Sequence, residues 1–252
     1  MNLPTETTAQ ITRITDILTA FCPSVRSILL HGSICLGGYV HHQSDIDLIV
    51  VTDAPMNRQQ RIALADALLP LHEQPCPIEL SVVAKKDAKT LPVLCQFHFS
   101  SHWAARYASH DETNPLLNEP FPDDDLPSYF RLIRQRGIVL FGEAPDRILA
   151  DVTDEQFFSA VSDGCEEWAF DDYGLFDSNI LTFARVLSFA CTHRILTKVQ
   201  GAKWAMQCFP QFENLLSRAV AAYESASHGE YSKDELEAYR AFMVAEIQKG
   251  LR

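Results

Sequence analysis

The chain has 252 residues and a formal net charge of −12, from 33 acidic and 21 basic side chains. Its hydrophobic fraction of 47% suits a protein with a buried core, and no run of eighteen apolar residues exists to form a membrane-spanning helix. The acidic balance, without any long Lys/Arg run, argues against a nucleic-acid polymer as partner and favours a small cationic one. The polar start, residues 1–10, lacks a signal-peptide pattern. Seven cysteines (22, 35, 76, 95, 165, 191 and 208) are scattered and form no Cys-x-x-Cys pair. That pattern predicts reduced thiols in a cytoplasmic protein rather than a disulfide framework or a zinc site.

In chain order, residues 5–22 predict an amphipathic helix through Ile11, Ile14, Leu18 and Phe21. Val25 to Leu30 predicts a strand, and Gly32-Ser33 a tight polar turn after it. A second strand begins at Asp45 and runs through Ile46, Asp47, Leu48, Ile49, Val50 and Val51. Successive side chains of a strand face opposite ways, so Asp45 and Asp47 share one face. Two carboxylates so placed form a site for a divalent cation that phosphate oxygens complete. Gly32 and Ser33 offer unhindered backbone N–H groups and a hydroxyl to the same phosphates. Asn57 to Leu69 predicts a helix with Ile62, Ala65, Leu68 and Leu69 inward, and Ile78 to Ala84 a third strand. Glu79 on that strand is either a solvated strand residue or a third carboxylate beside Asp45 and Asp47.

Val93 to Tyr107 carries Phe97, Phe99, Trp103 and Tyr107 near helical spacing. Residues 114–127 hold four prolines and predict a loop, 129–136 a helix, and 138–141 a short strand. Beyond about residue 150 the pattern is helical, with helices expected at 154–170, 178–196, 200–208, 211–225 and 232–250. The expected fold class is α+β. A mixed β-sheet flanked by helices fills residues 1–150, and an all-α helical bundle fills 151–252. The acids Glu166, Glu167, Asp171, Asp172 and Asp177, with Trp168 among them, make either a solvated surface or a pocket attractive to guanidinium and ammonium groups. His41-His42 reads as polar linker, because adjacent residues on an extended chain point apart.

Gly32-Ser33 followed by Asp45-Ile46-Asp47 resembles the signature of the polymerase-β-like nucleotidyltransferases. The blocks LHGS, GGYVHHQSDIDLIVV, IELSVV, QFHFSSHW, IVLFGE, LTFAR (181–185) and TK…KWAM (197–206) narrow it. With them the chain is similar to the streptomycin/spectinomycin adenylyltransferases, over most of its length. That resemblance implies an N-terminal nucleotidyltransferase domain, a helical C-terminal domain, and transfer of AMP from ATP with Mg²⁺ to an aminoglycoside hydroxyl. It assigns Asp45 and Asp47 to the metal, with Glu79 as general base and further metal ligand. It assigns Gly32, Ser33, Lys198 and Tyr223 to the nucleotide, and Trp103, Trp168, Asp172 and Asp177 to the drug. The sequence departs from the family pattern at His31, where an aromatic is usual, in a longer linker before Asp45, and in a shortened 169–178 segment. Another acceptor, such as a protein hydroxyl, or an inert nucleotide-binding homologue remain the alternatives. Oligomeric state stays open, with a monomer expected.

Overall fold

A computed structural model gives the fold and describes residues 3–22, 24–41, 43–109, 113–114, 117–167 and 176–252. The chain divides into two compact units, Met1–Val152 and Thr153–Arg252.

The first unit runs α1 (Thr5–Phe21), β1 (Val25–Leu30), α2 (Gly32–Leu36), β2 (Ile46–Thr52), α3 (Arg58–Leu68), β3 (Ile78–Ala84) and β4 (Leu94–Phe99). It continues with α4 (Ser101–Ala108), β5 (Phe121–Pro122), α5 (Leu126–Arg136), β6 (Ile138–Gly142) and α6 (Pro145–Ile148). The six strands form one mixed sheet in the order β5-β4-β3-β2-β1-β6. Among the described residues only β2 and β3 pair in parallel, and α3 makes the crossover between them. Asn57 starts that helix with a capping box: it accepts from the Gln60 backbone N–H, and Gln60 accepts from that of Asn57.

One sheet face is apolar and covered. Ile28 and Leu30, Ile46, Leu48 and Val50, Ile78, Leu80 and Val82, and Phe97 and Phe99 share a buried cluster with Ile11, Ile14 and Leu18 of α1 and Leu64, Ala65 and Leu68 of α3. Each such Ile, Leu, Val or Phe side chain, fully buried, stabilises the unit by about 1.5–3 kcal/mol. Since alternate residues of a strand face alternate sides, this packing fixes Asp47 and Glu79 on the opposite face. In both β2 and β3 the second residue alone is half-exposed, and the other six are buried.

The second unit contains, among the described residues, helices and no strands: α7 (Asp154–Ser162), α8 (Phe176–Thr192), α9 (Lys198–Cys208), α10 (Glu213–Glu224) and α11 (Lys233–Ile247). Helix α8 packs against the other four. It is buried through Ile180, Leu181, Phe183, Ala184, Leu187 and Ala190. Among the described residues no helix is long and apolar enough to cross a membrane.

Five expectations are corrected. The segment 93–107 is a strand and then a helix, because Cys95, Phe97 and Phe99 are buried with a period of two, and the helical spacing is realised only from Ser101 on, where Trp103 and Tyr107 lie one turn apart in α4. The helix expected over 154–170 stops at Ser162, where Asp163 turns extended and Gly164 takes φ +59°. Gly32-Ser33 opens a short helix rather than a simple turn, and Asp45 precedes β2 instead of beginning it. The 114–127 loop contributes Phe121–Pro122 to the sheet edge, paired with Leu94 and Cys95.

Candidate active site

Parallel pairing of β2 and β3 sets Asp47 opposite Glu79, and Asp45 lies one turn of the pleat upstream on the same face. Oxygens of Asp45, Asp47 and Glu79 lie within 4.8 Å of one another, and all three residues are half-buried. The approach to Asp45 is pinned by backbone bonds: Ser44 N–H donates to Val40 O (2.8 Å), and Ile46 N–H to Pro77 O (2.8 Å). The Ser44 hydroxyl accepts from Val40 N–H at 2.9 Å. Three like charges so close repel unless a cation neutralises them. Their hard oxygens are the donor type that Mg²⁺ takes.

The loop after β1 completes the arrangement. His31 N–H donates to the Asp47 carbonyl (3.0 Å), which brings Gly32 against the Asp47 side chain. A Cβ at residue 32 would lie 1.6 Å from Asp47 Oδ2, and Gly32 holds φ +66°. Only glycine satisfies both conditions. The Ser33 hydroxyl is buried with no hydrogen-bond partner in the protein. An unpaired buried hydroxyl beside a carboxylate cluster fits an oxygen-rich ligand such as a phosphate. The three carboxylates, the bare Gly32 and the orphaned Ser33 hydroxyl together fit a magnesium–nucleotide complex.

Tyr129 of α5, which the sequence marks only as the start of a helix, belongs to the site as well. Its hydroxyl donates to Glu79 Oε1 at 2.8 Å. Burial first, and then the Glu79 charge, push its own pKa well above that of an ordinary tyrosine, so it stays a phenol. The ring of His31 lies 4.9 Å from that of Tyr129 at an interplanar angle of 35°. Burial drives the His31 pKa down to about 3, so this ring is neutral. No local pattern in residues 126–136 announces a bond to a strand fifty positions earlier.

In the second unit, Lys198 and Tyr223 come together. Thr197 and Gln200 form a capping box that opens α9 at Lys198. Lys198 Nζ lies 5.5 Å from the centroid of the Tyr223 ring and donates to Ser178 Oγ at 2.6 Å. An ammonium over an aromatic face is held electrostatically.

Residues 147–246 match the family model described as "Aminoglycoside adenylyltransferase, C-terminal domain". An aminoglycoside (3'') (9) adenylyltransferase from Shigella flexneri is 24% identical over 97% of this chain and 96% of its own. One from Klebsiella pneumoniae is 25% identical over 90% and 89%. Residues 147–246 thus match the C-terminal domain of the aminoglycoside adenylyltransferase family, and the chain is similar to members of that family over most of its length. The fold is also that of the spectinomycin adenyltransferase AAD(9) from Enterococcus faecialis, solved with ATP and spectinomycin. The TM-score is 0.83 at 17% identity, over 96% of this chain and 99% of that one.

The residues that the adenylyltransferase resemblance assigns to the drug are less gathered than the acids. Trp103 lies on α4, half-buried against the sheet core, with the Arg106 guanidinium 4.8 Å from its ring centroid. Asp177 is buried and accepts from the Tyr231 hydroxyl and from Gly229 N–H (3.3 Å), tying the 226–231 loop to α8. That carboxylate is therefore engaged within its own unit. Trp168 and Asp172, with Asp171 and His42, lie outside the described residues.

Proposed function

We propose that this protein is a cytoplasmic, ATP- and Mg²⁺-dependent adenylyltransferase that acts on streptomycin or spectinomycin as an antibiotic-resistance enzyme. The observation that carries the reading is the convergence of Asp45, Asp47 and Glu79 within 4.8 Å beside Gly32-Ser33. Mg²⁺, held by Asp45 and Asp47 with Glu79 closing the donor set, would neutralise charge on the triphosphate. Gly32 N–H and the Ser33 hydroxyl orient the terminal phosphates. Glu79 takes the proton of an acceptor hydroxyl whose oxygen attacks the α-phosphorus in line. A new P–O bond to the drug forms as the bond from the α-phosphorus to the bridging oxygen breaks, and pyrophosphate leaves with that electron pair. The net charge of −12 favours a cationic acceptor.

The test is pyrophosphate release from ATP and Mg²⁺ with streptomycin and spectinomycin supplied separately. Release should depend on one drug or both and vanish in Asp47→Asn. Glu79→Gln should keep Mg²⁺-dependent ATP binding and lose transfer by about 10²–10⁴-fold, the usual span for a general base. Drug-independent release, or full turnover in Asp47→Asn, sinks the reading.

A further inference from the structure

Glu79 is held from a third direction. Its strand partner Asp47 and nearby Asp45 supply two like charges. Its Oε1 accepts from the hydroxyl of Tyr129 on α5, at 2.8 Å. A glutamate has three side-chain torsions, and mutual repulsion would swing an untethered carboxylate away from two neighbouring acids. The Tyr129 bond opposes that swing and still leaves the carboxylate ample acceptor capacity, since an ionised carboxyl has about four lone-pair sites. The tyrosine is itself braced. Its ring packs on buried His31, the residue that leads into Gly32-Ser33, and α5 packs on α2. One chain of contacts thus runs from the loop at Gly32-Ser33 through His31 and Tyr129 to the carboxylate of Glu79.

We propose that Tyr129 is a positioning residue of the transfer reaction, its hydroxyl fixing the Glu79 carboxylate in the orientation that receives the acceptor proton, with His31 as its brace. This rests on the reading of Glu79 as general base. The hydroxyl touches neither substrate nor reacting atoms and acts through Glu79. A misplacement of about 1 Å at a reacting group costs on the order of 10²-fold in rate. Outer partners that orient a functional carboxylate typically matter by about 10–100-fold.

The test is Tyr129→Phe, which keeps the ring against His31 and deletes only the donor. Drug-dependent kcat should fall about 10–100-fold, while KM for ATP, Mg²⁺-dependent ATP affinity by calorimetry, and Tm stay at wild-type values. In the Glu79→Gln background the same substitution should cost nothing further. Wild-type kcat in Tyr129→Phe, a loss that persists undiminished in the Glu79→Gln background, or a kcat loss matched by a fall in Tm and ATP affinity would each overturn the proposal. Should Tyr129→Phe not fold, His31→Leu removes the brace and is read by the same split and the same background. Wild type and Glu79→Gln are measured alongside. If drug-dependent release is lost in Glu79→Gln yet intact in Tyr129→Phe, the positioning role alone falls. If Glu79→Gln turns over at the wild-type rate, the general-base reading fails and takes the positioning role with it.

Discussion

Gly32 and Gly37 flank the same short helix and both have positive φ, +66° and +77°, yet substitution should have different consequences. At Gly37 a Cβ would meet nothing within 4 Å, so Gly37→Ala bears only the conformational cost of a left-handed alanine, about 1 kcal/mol, and activity should hold. At Gly32 the same conformational cost is joined by a Cβ driven 1.6 Å from Asp47 Oδ2, and 2.3 Å from its Cγ. Asp47 must then leave its place opposite Glu79, and the three-carboxylate cluster opens. Gly32→Ala should therefore lose turnover by on the order of 10²-fold or more, and Mg²⁺-dependent ATP binding should weaken with it. Calorimetry and pyrophosphate release on the two alanine variants decide the matter. Equal behaviour of the pair would show that the contact with Asp47 carries no weight.

Among the elements, the packing of α9 on α8 decides where Lys198 sits. Gly201, one turn into α9, approaches α8 so closely that a Cβ would lie 2.6 Å from the Cα of Arg185. Helix propensity alone favours Gly201→Ala by about 1 kcal/mol. Overpacking against a backbone atom costs about 1–3 kcal/mol, and here no flexible side-chain end can yield. The clash should win, so the variant should melt lower than wild type, and the shift of α9 should disturb the bond from Lys198 to Ser178. A melting temperature at or above wild type would show that the helices part freely. Contacts of this kind also mark what a sequence leaves unsaid. The acids on β2 and β3 were legible because alternation of apolar and polar residues reports which face each side chain takes. The helices α1, α3, α8 and α10 were legible from their apolar period. The strand β4 was hidden by its own aromatics, since Phe97 and Phe99 continue into Trp103 and Tyr107 at a spacing close to a helical one. The bond from Tyr129 to Glu79, the approach of Gly201 to Arg185 and the tie from Asp177 to Tyr231 join residues 50, 16 and 54 positions apart. Periodicity reports a residue's own face, not its partner, so these pairings were beyond its reach. The resemblance carried Lys198 and Tyr223, which no local pattern would have singled out.

For the molecule as a whole, stability against acid follows from imidazoles that are buried neutral. His31 is almost fully buried and its pKa falls to about 3, through burial. His98 is lowered by burial, against a smaller upward pull from Asp123, and its Nδ1 shares a hydrogen bond of 2.9 Å with Ser81 Oγ. His72 is lowered by burial as well, while accepting from Ile78 N–H at 3.1 Å. In each case the unfolded chain takes up a proton near pH 6.5 that the folded chain refuses. The unfolded state then binds more protons, so stability is fully present above pH 6.5 and falls as the pH drops toward the folded pKa. At about 1.4 kcal/mol per unit, His31 alone withdraws roughly 2 kcal/mol by pH 5. Asp123 has the opposite sign: burial raises its pKa, with the His98 charge pulling it back, so the folded state binds the extra proton and gains as the pH falls. The three histidines set in from pH 6.5 downward and outnumber it, so the melting temperature should begin to fall between pH 7 and 5. His31→Phe removes a titrating ring and a buried nitrogen without a hydrogen-bond partner, and it keeps an aromatic face toward Tyr129. It should flatten the acid limb of the curve, with a smaller flattening in His98→Asn, which retains a partner for Ser81. Thermal melts of the three proteins from pH 7.5 to 4.5 make the comparison. A wild-type curve level from pH 7 to 5 would mean that His31 takes its proton without unfolding, and that the wall formed by His31 and Tyr129 beside Glu79 admits water.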